Sequence, residues 1–219
     1  AWLDLMETDG PFLAVPVIKD TWPAGLETVD KKTVEALRAA DDQLTASAGT
    51  RDTFVRFVLA DLLEWADNLL AGPDLPARLV TSVPEHRATI RPTYALVDDP
   101  TDPTSPARAL VLVVPASARP SARPAGDQDW SATYTDRLAH ALRAQNVPVG
   151  LVTNGTEWVI IGAPQSTATS TATFTRHVWR EEPDTLRAFV NLLGLARFYG
   201  VPDDQTLPAL LAESVTRQT

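Results

Sequence analysis

Carboxylates are the side chains of this sequence most able to do chemistry, because clustered acids can hold a divalent cation that activates water. Two groups have suitable spacing. Asp98, Asp99 and Asp102 fall within residues 98–106, DDPTDPTSP, a loop predicted to follow a strand. Asp61, Glu64 and Asp67 recur every third residue and share one side of a predicted helix. Each group also has a plain structural reading. Proline- and aspartate-rich loops cap their own turns, and an acidic helix side faces solvent. Glu64, Asp98 and Asp99 are the candidates for a hydrolytic metal site.

Other chemistries lack their parts. There are no cysteines, so no disulfide, thiolate nucleophile or cysteine zinc site is expected. His86, His140 and His177 are far apart, and none has a second histidine at helical spacing. They are read as surface or half-buried residues rather than metal ligands, and no metal site is assigned. No G-x-S-x-G, phosphate loop or G-x-G-x-x-G is present. Asn154-Gly155-Thr156 has the form of a glycosylation acceptor but reads as a turn. Arginines remain. Arg78, Arg87, Arg91 and Arg108 precede the central apolar strand, and Arg176, Arg180, Arg187 and Arg197 lie toward the C-terminus. Either set could form a phosphate-binding patch.

The chain as a whole narrows the choice. Its 219 residues, 44% hydrophobic, suffice for a sizeable core. A net charge of −9 argues against a general polyanion binder, so nucleic acid would have to meet a local basic patch. No apolar run approaches the roughly 20 residues of a membrane span, and the first ten residues lack a signal peptide's basic start. A cytoplasmic protein without a membrane partner is expected. The chain lacks an initiator methionine and stops in a polar, helix-compatible stretch, and so reads as a fragment of a longer protein.

The elements that would position these residues follow from periodicity and punctuation. Residues 1–25 carry Pro11, Pro16 and Pro23 and are predicted to be irregular. Helices are predicted over 28–47, 51–70, 130–145 and 184–199, with another starting at Leu207. The strongest is 51–70, where Phe54, Val55, Val58, Leu62, Trp65 and Leu69 form an apolar stripe. Strands are predicted over 88–97, with a break or edge at Pro92, and over 109–114, 147–153, 157–161 and 174–179. Asn154-Gly155 turns the hairpin between two of them. Trp65 and Trp158 are expected in the core. This order predicts an α/β (α+β) fold, a mixed central sheet flanked by helices.

The sequence Val147-Pro148-Val149-Gly150-Leu151-Val152-Thr153-Asn154-Gly155, followed by Trp158, resembles the strand–turn–strand after the nuclease motif of PD-(D/E)XK proteins. It is similar to that segment in type I restriction subunits and in fused type II restriction–methylation enzymes. Leu207-Pro208-Ala209-Leu210-Leu211 with Glu213-Ser214 is similar to the helical link to their methyltransferase domain. The resemblance implies a restriction-endonuclease-like core over 51–200, an N-terminal extension over 1–50 packing on it, and the start of a linker over 201–219. It also implies where metal-binding residues should stand, and they are missing. Thr93 in Arg91-Pro92-Thr93-Tyr94 replaces the first aspartate, Leu112 and Val114 replace the acid and lysine, and no lysine follows Lys32. A non-catalytic module of a bacterial restriction–methylation, phage-defence protein is expected, with no cofactor of its own. Its partners would be double-stranded DNA, bound weakly and without sequence preference, or other domains and subunits of a defence complex. Arg87, Arg91 and Arg108 are the candidate DNA contacts. The alternatives are a docking or structural domain that touches no nucleic acid, and a nuclease with migrated acids at Glu64 and Asp98. Only the last would need a divalent metal.

Overall fold

The computed structural model describes residues 2–218. A short strand β1 (Glu7–Asp9) and helices α1 (Val15–Thr21) and α2 (Lys31–Ala46) precede α3 (Arg51–Phe57). Then come β2 (Leu69–Ala71), the hairpin β3 (Thr81–Val83) and β4 (Ala88–Ile90), β5 (Tyr94–Val97) and β6 (Ala107–Val113). Helix α4 (Tyr134–Gln145) leads into β7 (Val149–Thr153), β8 (Glu157–Gly162) and β9 (Ser170–Thr175). Four helices close the chain: α5 (Arg176–Glu181), α6 (Pro183–Leu193), α7 (Ala196–Tyr199) and α8 (Leu207–Arg217).

Seven strands form one mixed sheet in the order β1-β9-β8-β7-β6-β5-β2, while β3 and β4 pair separately. Among the described residues only β6 and β7 run parallel, and α4 makes the crossover between them, as a parallel pair requires. This is the mixed α/β architecture expected from the sequence. One core joins the face carrying Val111, Val149, Leu151, Trp158 and Ile160 to α2, α3, α6 and α8. A second lies against the other face, where Leu138 and Leu142 of α4 meet Leu110, Val152 and Ile161. The apolar run 109–114 is therefore covered on both sides, which is why it shows no alternation.

Several boundaries differ from the sequence reading. The helix expected over 51–70 ends early. After α3 the chain widens into a π turn over Val58–Leu62, and Leu63 N–H donates to the Val58 carbonyl at 2.9 Å. Glu64 then takes a left-handed φ of 62°, so Asp61, Glu64 and Asp67 do not share a helix side. Beyond this break Trp65 is fully buried, and its indole N–H donates to the Leu193 carbonyl at 2.8 Å. Leu69 and Leu70, expected in that helix, belong to the edge strand β2.

The strand expected over 174–179 lies at 170–175 and passes directly into α5, so the end of the Ser/Thr tract at residues 166–173 is itself the ladder partner of β8. The helix expected over 184–199 breaks at Gly194. Residues 1–25 are less irregular than their prolines suggested, since β1 pairs along β9 and Pro16 sits in the first turn of α1, where its missing N–H costs nothing. Helix α8 lies in the core. Leu207, Leu210, Leu211 and Ser214 are buried, and the Ser214 hydroxyl accepts the Ala14 N–H at 3.0 Å.

The break at Pro92 and the turn at Asn154-Gly155 stand where expected. Asn154 Oδ1 accepts the Thr156 and Glu157 N–H groups at 2.9 and 2.8 Å. Gly155 has φ 93°, and a Cβ there would lie 2.8 Å from Arg51 Cγ. No helix among the described residues is long and apolar enough to cross a membrane.

Candidate functional site

The positions where the resemblance places metal-binding residues meet at one end of the β5–β6 pair, and backbone hydrogen bonds and aliphatic packing fill them. Thr93 N–H donates to the Val111 carbonyl at 2.7 Å, and the Thr93 hydroxyl accepts the Val113 N–H at 2.9 Å. The threonine is thus a clasp between neighbouring strands. Leu112 and Val114 pack into the second core. The Val114 carbonyl accepts from the Arg51 guanidinium at 2.7 Å. Nothing at Thr93, Leu112 or Val114 can coordinate a cation through a carboxylate.

The candidate acids lie elsewhere. Asp98 follows β5, where the register with β6 shifts: Leu96 pairs with Ala109 and Val97 with Ala107. Arg108 is left in the resulting bulge, which turns its side chain toward Asp98. Arg108 Nε donates to Asp98 Oδ1 at 2.7 Å and Nη2 to Oδ2 at 2.9 Å. The Tyr199 hydroxyl donates to the same Oδ1 at 2.9 Å. These bonds favour the ionised carboxylate, so Asp98 titrates below the usual carboxylate range, chiefly through Arg108. Arg108 is raised in turn, and Tyr199 is pushed upward by its own burial and then by its hydrogen bond to Asp98.

Asp99 and Asp102 bond within their own loop. Asp99 Oδ1 accepts the backbone and hydroxyl of Thr101 at 2.9 and 2.7 Å, and Asp102 does the same for Thr104. Arg78 clamps this loop through the Pro103 and Ser105 carbonyls. Glu64 is exposed and forms no hydrogen bond or ion pair with Asp98 or Asp99. Among the described residues, no group of three or more histidine, aspartate or glutamate side chains is placed to hold a metal ion.

Nor do the three candidate arginines form one group. Arg87 sits at the tip of the β3–β4 hairpin with φ 51°, exposed. Arg91 is exposed in the connection to β5, two residues before the Thr93 clasp. Arg108 lies at the other end of the seven-residue β6, and such a strand spans roughly 20 Å. Arg87 and Arg91 have no ion-pair partner among the described residues, whereas Arg108 is held by Asp98. Arg176 and Arg180 reach back to Asp41 of α2, and Arg180 also to Asp42.

Sequence reasoning missed two arrangements. Tyr199 completes the Asp98 site from 101 residues away, and Asp41 meets Arg176 across 135. No local spacing signals either. His86 and His140, unrelated in sequence, both contact Trp130, one stacked at 5.0 Å and the other edge-on at 5.6 Å.

No protein-family model, curated protein or solved structure matches this chain.

Proposed function

We propose that this chain is a non-catalytic, nuclease-like module of a bacterial DNA restriction–methylation protein of the phage-defence type, acting in the cytoplasm as a docking unit for other domains or subunits. The Thr93 clasp carries the reading. Where the resemblance calls for an acid there is a hydroxyl committed to the Val113 backbone, with Leu112 and Val114 beside it. The order α3, antiparallel β2–β5–β6, α4, then β7 parallel to β6, agrees with the nuclease-like core that the resemblance implies. Asp98 and Arg108 neutralise one another, which takes one candidate from a metal site and one from a DNA groove.

A second reading, weak contact with the DNA backbone, is favoured by the exposure of Arg87 and Arg91 and by their lack of ion-pair partners among the described residues. Phosphate contacts of this kind position a duplex without reading it.

The test is incubation with supercoiled plasmid in magnesium and in manganese. No nicking is expected. Nicking abolished by a chelator and by Asp98→Ala would establish a nuclease with relocated acids and overturn the proposal.

A further inference from the structure

We propose that the crevice between α2, α3, α5 and α6 binds a small organic carboxylate carrying one aromatic ring or a short alkyl chain. Its volume is about 130 Å³. A dry, apolar cavity of roughly that size accepts a benzene-sized group. Leu37, Phe54, Trp179 and Leu186 form apolar walls, and each is buried. Phe189 holds the Trp179 ring from behind at 4.8 Å between centroids. The walls are therefore fixed by the core and need not be ordered by a ligand.

The polar lining has one sign in excess. Arg38, Arg176, Arg180 and Arg187 line the crevice with a single acid, Asp41, in a chain whose net charge is −9. Arg176 takes Asp41 at the base, where both side chains are nearly covered. The arginines at the mouth are less committed. Arg187 bonds only Asp184, which is 61% exposed; Arg180 shares Asp41 with Arg176 at 3.4 Å and takes its shorter bond from Asp42, which is 68% exposed. Ion pairs that exposed contribute little and exchange readily for another carboxylate. The Arg38 guanidinium has no acceptor among the described residues. An apolar pocket under a rim of planar, forked cations suits a carboxylate attached to a compact apolar body. The site does not depend on the nuclease-like reading, since Thr93, Leu112, Val114 and Asp98 take no part in it.

The experiment is a titration of the full chain with phenylacetate and hexanoate, following tryptophan indole N–H resonances, with Trp179 assigned by Trp179→Phe. Phenethylamine and benzyl alcohol serve as controls of like shape. A saturable shift of the Trp179 signal is expected for the acids, with a dissociation constant on the order of 1 mM, as ligands of this size allow. Arg38→Ala and Arg187→Ala, both at surface positions, should together weaken it about tenfold, and Leu37→Trp, which fills the crevice, should abolish it. Equal binding of phenethylamine or benzyl alcohol would overturn the proposal. So would a Trp179 signal unmoved at roughly twenty times the expected constant, or binding indifferent to the arginine substitutions.

Discussion

Asp98 and Arg108 face each other across a β-bulge in a two-pronged ion pair, with Nε–Oδ1 at 2.7 Å and Nη2–Oδ2 at 2.9 Å. Read along the chain, one residue is a candidate metal ligand and the other a candidate phosphate contact. Brought together, each occupies the other. Tyr199 adds a third bond and ties α7 to the end of β5.

This pair makes stability depend on acid. The folded Asp98 titrates below its unfolded value of about 3.9. Its contribution is therefore fully present above pH 4 and is lost as the pH falls through the lower folded value. The side chains are 34% and 48% exposed, so solvent screening limits the coupling to about 1 kcal/mol. A double-mutant cycle of Asp98→Asn and Arg108→Met, read by urea unfolding, should give that coupling at pH 7 and much less at pH 2.5. Equal coupling at both would show that the carboxylate charge is not involved.

On the second reading, duplex DNA should bind weakly, at tens of micromolar or worse, with a salt slope of about 2 in log–log terms for two available arginines. Arg87→Ala with Arg91→Ala should flatten that slope, while Arg108→Ala should change it less, because Arg108 is already paired. Fluorescence anisotropy at several salt concentrations measures this. A slope near 4 or steeper would require a basic surface beyond these residues.

Trp65 should be the costliest tryptophan to lose in this part of the core. It is fully buried, meets the Phe198 ring edge-on at 6.0 Å and donates to Leu193. Trp65→Ala should cost about 3–5 kcal/mol. Trp65→Phe should cost about 1–3 kcal/mol, since the Leu193 carbonyl loses its donor. Chemical denaturation with an unchanged slope checks both values. A loss below about 1 kcal/mol for alanine would contradict the packing.

Glu64 offers the opposite test. Its φ of 62° is unfavourable for a side chain with a Cβ, and its carboxylate is exposed. Glu64→Gly should raise stability by roughly 0.5–1 kcal/mol, the relief of strain exceeding the added freedom of the unfolded chain. A fall in the urea midpoint would mean that the carboxylate does something the backbone geometry does not explain.

The sequence alone determined the class of fold, the central apolar strand at 109–114, the break at Pro92, the Asn154-Gly155 turn and the buried Trp65 and Trp158. Each of these follows from local pattern: an apolar run, a ring without an N–H, a residue free to take a positive φ. It also determined that no lysine could stand on the central strand, because none follows Lys32. The tertiary structure decided the rest. The predicted helix 51–70 is broken by Glu64, and Trp65 beyond it bonds Leu193, a partner 128 residues away that periodicity cannot register. The end of the Ser/Thr tract became a strand because β8 supplied its ladder. The fates of Asp98, Arg108, Asp41 and Arg176 were decided by pairing across the fold, since a charge is free or spent according to what lies within a few ångströms of it, and chain spacing does not carry that distance.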